Sequence, residues 1–303
     1  MTLVVGATGL LGMEICRQLC EAALPAKAMV RSGSDPAKVD NLRKLGAELL
    51  EGDLKVPLSI EKACRGVNAV ISTASSTLSR REGDSIQTVD LDGQIHLIDA
   101  AKTAGVERFV FISFRNNPAI QYPLTEAKRA VERHLTDSGL AYTILQASYF
   151  MEVWLSPALG FDVAAGKAKV YGEGKNRLSW ISYSDVARFA VKASGEPQAR
   201  NRTIEIGGPE ALSPLDVVRA FEAAGSREID VEQVPESAIR EQFESAEDPM
   251  QVSFSGLMLQ YAAGDVIDMT GTLKLLPVNL TSVRDYVSRV LAQIGAQPEA
   301  AND

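Results

Sequence analysis

One short string constrains this chain more than any other feature. It is Gly6-Ala7-Thr8-Gly9-Leu10-Leu11-Gly12, set between the apolar run Leu3-Val4-Val5 and a helical pattern in which Leu11, Ile15, Cys16, Leu19, Cys20 and Ala23 share one face. The run reads as a buried strand, so the glycines sit where a strand turns directly into a helix. Gly6 permits the tight turn, Gly9 lets the backbone come close to a bound group, and Gly12 lets the helix pack tightly on the strand. The helix N-terminus offers free N–H groups and the positive end of the helix dipole, a ready site for a pyrophosphate. Gly6, Thr8, Gly9, Leu10, Leu11 and Gly12 are therefore candidate cofactor-binding residues, and a dinucleotide is the expected ligand.

The alternation continues downstream. Ala26 to Arg31, Glu48 to Leu50, Ala69 to Thr73, Arg108 to Ser113 and Tyr142 to Gln146 read as further strands, nearly continuous in apolar residues. Between them run expected helices. One is capped by Asp35 with Pro36 first and Gly46 just beyond its end; another opens at Pro57 and closes at Gly66. Two more span Ser85 to Ala104 and Pro123 to Asp137, each followed by a glycine. Apolar strands alternating with helices specify a parallel sheet covered on both faces, joined by right-handed crossovers. The expected fold is α/β, a doubly wound parallel sheet with a small C-terminal α/β substrate lobe. The expected boundaries are 1–155 for the nucleotide-binding domain and 156–303 for the lobe, with 178–206 returning to the first. After residue 150, Lys169 to Tyr171, Leu178 to Ile181 and Arg202 to Ile206 read as strands. Ser184 is the expected cap of a helix carrying Val186, Phe189, Ala190 and Ala193, and Ser213 to Ala224 and Thr281 to Ile294 are amphipathic helices. Acidic Pro235 to Asp248 reads as a solvated helix or loop.

Composition narrows the function classes. The 303 residues carry 31 Lys and Arg against 39 Asp and Glu, a net charge of −8, which repels phosphate backbones, so no nucleic-acid partner is expected. The three cysteines form no CxxC pair, and no apolar run approaches the length of a membrane span. The expected location is cytoplasmic, with an organellar matrix or stroma left open, and the expected state is a monomer or homodimer. There is no GxSxG, HExxH or P-loop, so hydrolase and kinase chemistry have no support, and no metal site is expected.

The ends of the strands supply the remaining candidates, because ligands of open α/β sheets bind beyond the carboxyl ends of the strands. The second strand ends in Arg31-Ser32, nineteen residues after Gly12, where an NAD site would place a carboxylate. A guanidinium matches a 2′-phosphate in charge and fork geometry, which favours NADP(H) over NAD(H). Asp53 can accept from an adenine amino group while Leu54 packs on the ring, and the small residues Thr73, Ala74 and Ser75 let a cofactor cross the sheet edge. Ser113 ends the fifth strand and Ser148 follows the sixth, and both are candidate cofactor-binding residues. Lys128 can hold a ribose or relay a proton, although at i,i+4 from Glu132 it also reads as a surface ion pair. Tyr149 and Phe150 stand where a substrate pocket opens. His134 has Asp137 as its nearest carboxylate at helical spacing.

These residues resemble a family. The Gly6–Gly12 string, Val30-Arg31, Gly52-Asp53-Leu54, the run Ala104 to Val110, the run Ser138 to Leu145, and Tyr183-Ser184-Asp185-Val186-Ala187 together look like the atypical, NmrA-like branch of the short-chain dehydrogenase/reductase superfamily, over about residues 2–206. The resemblance implies an NAD(P)-binding Rossmann fold and NADPH-dependent reduction of a carbonyl, enone or quinone-like acceptor. Some members serve as redox sensors or assembly factors, so the partner is a small-molecule substrate or a protein. Lys128 resembles the family's active-site lysine. The chain departs from the superfamily pattern at the tyrosine four residues before that lysine: Leu124 stands there, and Tyr122 is two residues too early. Gln146-Ala147 replaces the usual Arg-Pro. Lys128 and Tyr149 are then the candidate catalytic residues.

Overall fold

The computed structural model describes residues 1–79, 81–115 and 117–296. Seven strands form one parallel sheet: β1 (Thr2–Val5), β2 (Ala26–Val30), β3 (Glu48–Glu51), β4 (Ala69–Ser72), β5 (Arg108–Phe114), β6 (Tyr142–Ala147) and β9 (Arg202–Ile206). Their order is β3-β2-β1-β4-β5-β6-β9, so the winding reverses between β1 and β4. Side chains along each strand alternate between two cores. Val4 and Val110 face a cluster shared with the helices Leu10–Glu21 and Tyr183–Gly195. Leu3, Val5, Phe109 and Phe111 face another, shared with Pro57–Cys64, Gly93–Thr103 and Pro123–Asp137.

A smaller sheet, ordered β10-β8-β7, comprises β7 (Phe161–Asp162), β8 (Lys167–Tyr171) and β10 (Asp230–Val234). Trp180, Phe161, Phe221 and Tyr261 fill its core with the helices Pro214–Gly225, Pro249–Ala263 and Val283–Gly295. Two carboxylates, half-buried Glu152 and buried Asp185, tie the two sheets together. Glu152 accepts from Ser182 Oγ (2.6 Å), Tyr183 N (3.0 Å) and Arg289 (3.2 Å), and Asp185 accepts from Thr281 N at 2.7 Å.

Several local expectations are corrected. The long helix from Ser85 is two pieces, a π-helical segment Ile86–Asp92 followed by Gly93–Thr103. Gly93 lies against Leu54 so closely that a Cβ there would fall 2.8 Å from the leucine Cβ. Leu178 to Ile181 is no strand: Leu178 bridges to Leu212 and Asp265, and Ile181 to Phe150, so successive residues pair with different segments. Ser182, not Ser184, caps the following helix, accepting from Ser184 N at 3.2 Å, while Ser184 Oγ donates to Glu14. His134 pairs with Asp99 across to the neighbouring helix (2.8 Å), not with Asp137. No described helix is long and apolar enough to cross a membrane.

Phe189 is fully buried where the helix Tyr183–Gly195 closes the first core. Phe189→Ala should cost about 3–5 kcal/mol, read as a lower urea midpoint, whereas Leu58→Ala, at a residue 75% exposed, should change stability by no more than about 0.5 kcal/mol.

Candidate active site

The site begins with the glycine turn at the carboxyl end of β1. Gly6 has φ +85°, and a Cβ there would meet Thr73 Oγ1 at 2.7 Å and Ala74 N at 2.9 Å. A Cβ on Gly12 would fall 2.1 Å from the Gly6 carbonyl oxygen. The helix thus leaves the strand through a passage only glycine fits. Gly9 caps that helix without a side-chain hydrogen bond, so its first-turn amides have no acceptor from a capping residue. Uncapped amides, a bare turn and Arg31 on one wall make a donor set that fits a dinucleotide phosphate.

One cavity of about 560 Å³ collects nearly all the residues singled out above. Gly6, Thr8, Gly9, Leu10, Leu11, Gly12, Arg31, Asp53, Leu54, Thr73, Ala74, Ser75, Ser113, Lys128, Ser148 and Tyr149 all line it. Ser32 does not; its carbonyl accepts from Arg81 Nη1 at 2.8 Å, turning that loop toward the segment after β4. Buried Gln94 fixes the small-residue strip, donating to the Ala74 carbonyl (3.0 Å) and accepting from Ser72 Oγ (2.8 Å). Asp53 is held by its own turn, accepting from Lys55 N at 2.9 Å.

Lys128 is not half of a surface pair with Glu132. It is buried, its ammonium 3.3 Å from Asp90 Oδ1 and 5.1 Å from the Phe111 ring centroid. Asp90 is fully buried, and its other oxygen accepts from Ser76 N (2.9 Å) and Ser76 Oγ (2.6 Å). Glu132 is engaged instead by Arg129 (2.6 Å) and Gln146 (3.1 Å). Leu124 is an apolar part of the cavity wall. Tyr122 is buried away from the lining, its hydroxyl donating to Gln260 Oε1 at 2.6 Å.

Beyond Lys128 the walls are aromatic and apolar: Phe114, Tyr149, Phe150, Trp154, Phe254, Leu257 and Met258. Tyr149 lies edge-on to Trp154 (ring centroids 5.0 Å), and Trp154 stacks on Tyr261 at the same spacing. Burial, reinforced by Tyr122, Asp265 and Tyr261, pushes the Tyr149 phenol well above its ordinary pKa of 10.0, so it stays protonated. Asp265, also in the lining, pairs with Arg115 (2.5 Å) and accepts from Ser148 Oγ at 3.4 Å; burial raises its carboxyl despite the arginine.

Sequence reasoning missed part of this lining. Lys38, three residues past the Asp35 cap, was legible only as helix filler, and Asp84 as a loop residue. Phe254, Leu257, Met258, Gln260 and Asp265 come from Pro249–Ala263 and the turn after it, where the apolar residues surround the helix and define no single face.

Residues 1–286 match the NmrA-like family. The chain belongs to the NmrA-like family. An NAD(P)H azoreductase from Xenophilus azovorans is 36% identical over 76% of this chain and 75% of its own length. The photosystem II assembly factor Ycf39 of Synechocystis sp. is 30% identical over 78% of this chain and 72% of its own. Among solved structures, an NADPH-dependent quinone oxidoreductase from Escherichia coli complexed with NADPH has the same fold, with TM-score 0.77, 21% identity, and coverage of 96% of this chain and 99% of that one. In this NmrA-like chain a doubly wound sheet carries the cavity.

Asp84 lines the same cavity with its side chain only 2% exposed. Burial alone would raise its carboxyl, but hydrogen bonds from Lys55, Ser79 and Arg31 outweigh it and hold the pKa at about 2, below the ordinary 3.8. A carboxyl depressed by folding stabilises the protein above the unfolded value and loses that contribution as pH falls through the folded one. The thermal-midpoint gap between wild type and Asp84→Asn should therefore be widest near neutral pH and shrink as pH falls below about 4 toward about 2. A gap independent of pH would contradict this account.

Proposed function

We propose that this protein is an NADPH-dependent reductase of a small, flat, unsaturated acceptor: a carbonyl, enone, quinone or azo compound. The observation that carries the reading is one continuous cavity, lined at one part by the glycine turn and Arg31 and at another by Lys128, Tyr149 and aromatic walls. The amides of the turn would hold the pyrophosphate, with Arg31 and Lys38 holding the 2′-phosphate. When bound, the reduced nicotinamide supplies a hydride. The chain's own residues bind, orient and supply a proton. Lys128 is anchored on one side by Asp90 and keeps donors for a ribose hydroxyl or an acceptor oxygen. Tyr149, which lines the same cavity as Lys128, is the proton donor in place of the residue that Leu124 displaces. Trp154, Phe254 and Met258 stack on the acceptor and exclude water. The lobe around the smaller sheet thus provides the substrate wall, which supports reading 156–303 as a substrate lobe with 178–206 returned to the nucleotide-binding domain.

The azoreductase relative supports this reading. The Ycf39 relative and the apolar Leu124 favour a second one, an NADP(H)-binding sensor or assembly protein that does no chemistry.

NADPH consumption measured against quinones, azo dyes, enones and aldehydes separates the two. The reductase reading expects turnover with at least one class. Lys128→Met should lower kcat by about a hundredfold or more, and Tyr149→Phe by about tenfold or more. Tight NADPH binding with no turnover across the panel would favour the sensor.

A further inference from the structure

We infer that Asp84 is a positioning residue for cofactor choice, holding Arg31 at the cavity wall as a preformed receptor for the 2′-phosphate. This rests on the proposed role of Arg31 in NADPH binding. Asp84 comes from the segment after β4, yet its carboxylate joins three elements. Oδ2 accepts from Arg31 Nη1 at 2.6 Å and from Ser79 Oγ, and Oδ1 accepts from Lys55 Nζ at 2.6 Å. Lys55 also donates to the Glu82 carbonyl at 3.2 Å. Arg81 reaches back across the same loop, its two guanidinium nitrogens donating to the Ser32 and Gly33 carbonyls. The loop is thus clasped onto the end of β2 by charge-assisted bonds on both sides of Arg31.

The geometry distinguishes positioning from competition. A carboxylate that merely occupied a phosphate's place would have to leave, breaking bonds to Arg31, Lys55 and Ser79. Asp84 uses only one nitrogen of the fork, and no acceptor among the described residues takes up Arg31 Nε or Nη2. Those donors remain for a bidentate phosphate. Arg31, Lys38 and Lys55 outnumber Asp84, so the pairing leaves a net positive charge to meet a phosphate dianion. A free arginine side chain must lose rotamer freedom when it grips a ligand; one already pinned loses less, and that difference appears as affinity for the phosphorylated cofactor alone.

Calorimetric titration of the whole protein with NADPH and with NADH tests this without relying on turnover. Arg31→Ala should weaken NADPH by about tenfold or more and leave NADH within about twofold. Asp84→Asn should weaken NADPH by about tenfold, again sparing NADH, and the double variant should bind NADPH no more weakly than Arg31→Ala alone. If Arg31→Ala is selective but Asp84→Asn leaves NADPH unchanged, or tightens it as removal of a competing anion would, the inference about Asp84 fails and the reading of Arg31 stands. Equal weakening of both cofactors by Asp84→Asn would mean it merely supports the loop, and overturns the inference. If Arg31→Ala is itself unselective, the reading of Arg31 falls and the inference with it. Should Asp84→Asn not fold, Lys55→Gln, which removes the cation that holds Asp84 Oδ1 behind Arg31, should weaken NADPH selectively by about threefold and have no further effect in an Arg31→Ala background; no selective effect, or the same effect in both backgrounds, would overturn the inference.

Discussion

The helix Leu10–Glu21 can start against the end of β1 only because Gly12 carries a hydrogen where any other residue would drive a carbon into the Gly6 carbonyl. This backbone-on-backbone contact lies where the sheet reverses its winding, between β1 and β4. Strands that diverge there leave a crevice at their carboxyl ends. The same contact aims the uncapped end of the helix into that crevice. Turn, crevice and helix dipole are therefore one constraint, and the later strands add walls to a cavity already defined at its start.

Two buried carboxylates then hold the cavity's cations. Asp84 gathers Arg31 and Lys55 on one side, and Asp90 pairs with Lys128 on the other. Both come from the stretch between β4 and the helix Gly93–Thr103, as does Ser76, which holds Asp90. A buried charge is tolerable only with a partner and hydrogen bonds, so each cation is confined to a narrow range of positions. The crossover after β4 thereby positions both the candidate phosphate-binding arginine and the candidate active-site lysine.

The sheet was legible because its signals are local. Leu3 to Val5 and Phe109 to Ile112 are apolar on both faces, as buried parallel strands must be, and the glycines after the helices mark their ends. The lining from the first six strands followed from their carboxyl ends. What could not be read is what depends on long-range pairing. Lys128 has Glu132 one turn away, yet it pairs with Asp90, thirty-eight residues earlier, because Arg129 and Gln146 already occupy the glutamate. The helix Pro249–Ala263 carries Phe254, Leu257, Met258 and Gln260 to the cavity but is apolar around its circumference, so periodicity gave it no face. Leu178 to Ile181 has a strand's composition but no strand beside it.

A crystal structure of the protein soaked with NADPH would test the central claim most directly. The account predicts the pyrophosphate on the amides of Leu10 and Leu11, the 2′-phosphate on Arg31 with Asp84 still bound behind it, and the nicotinamide beside Lys128 and Tyr149. A dinucleotide bound away from the glycine turn, or one whose 2′-phosphate makes no contact with Arg31, would contradict it.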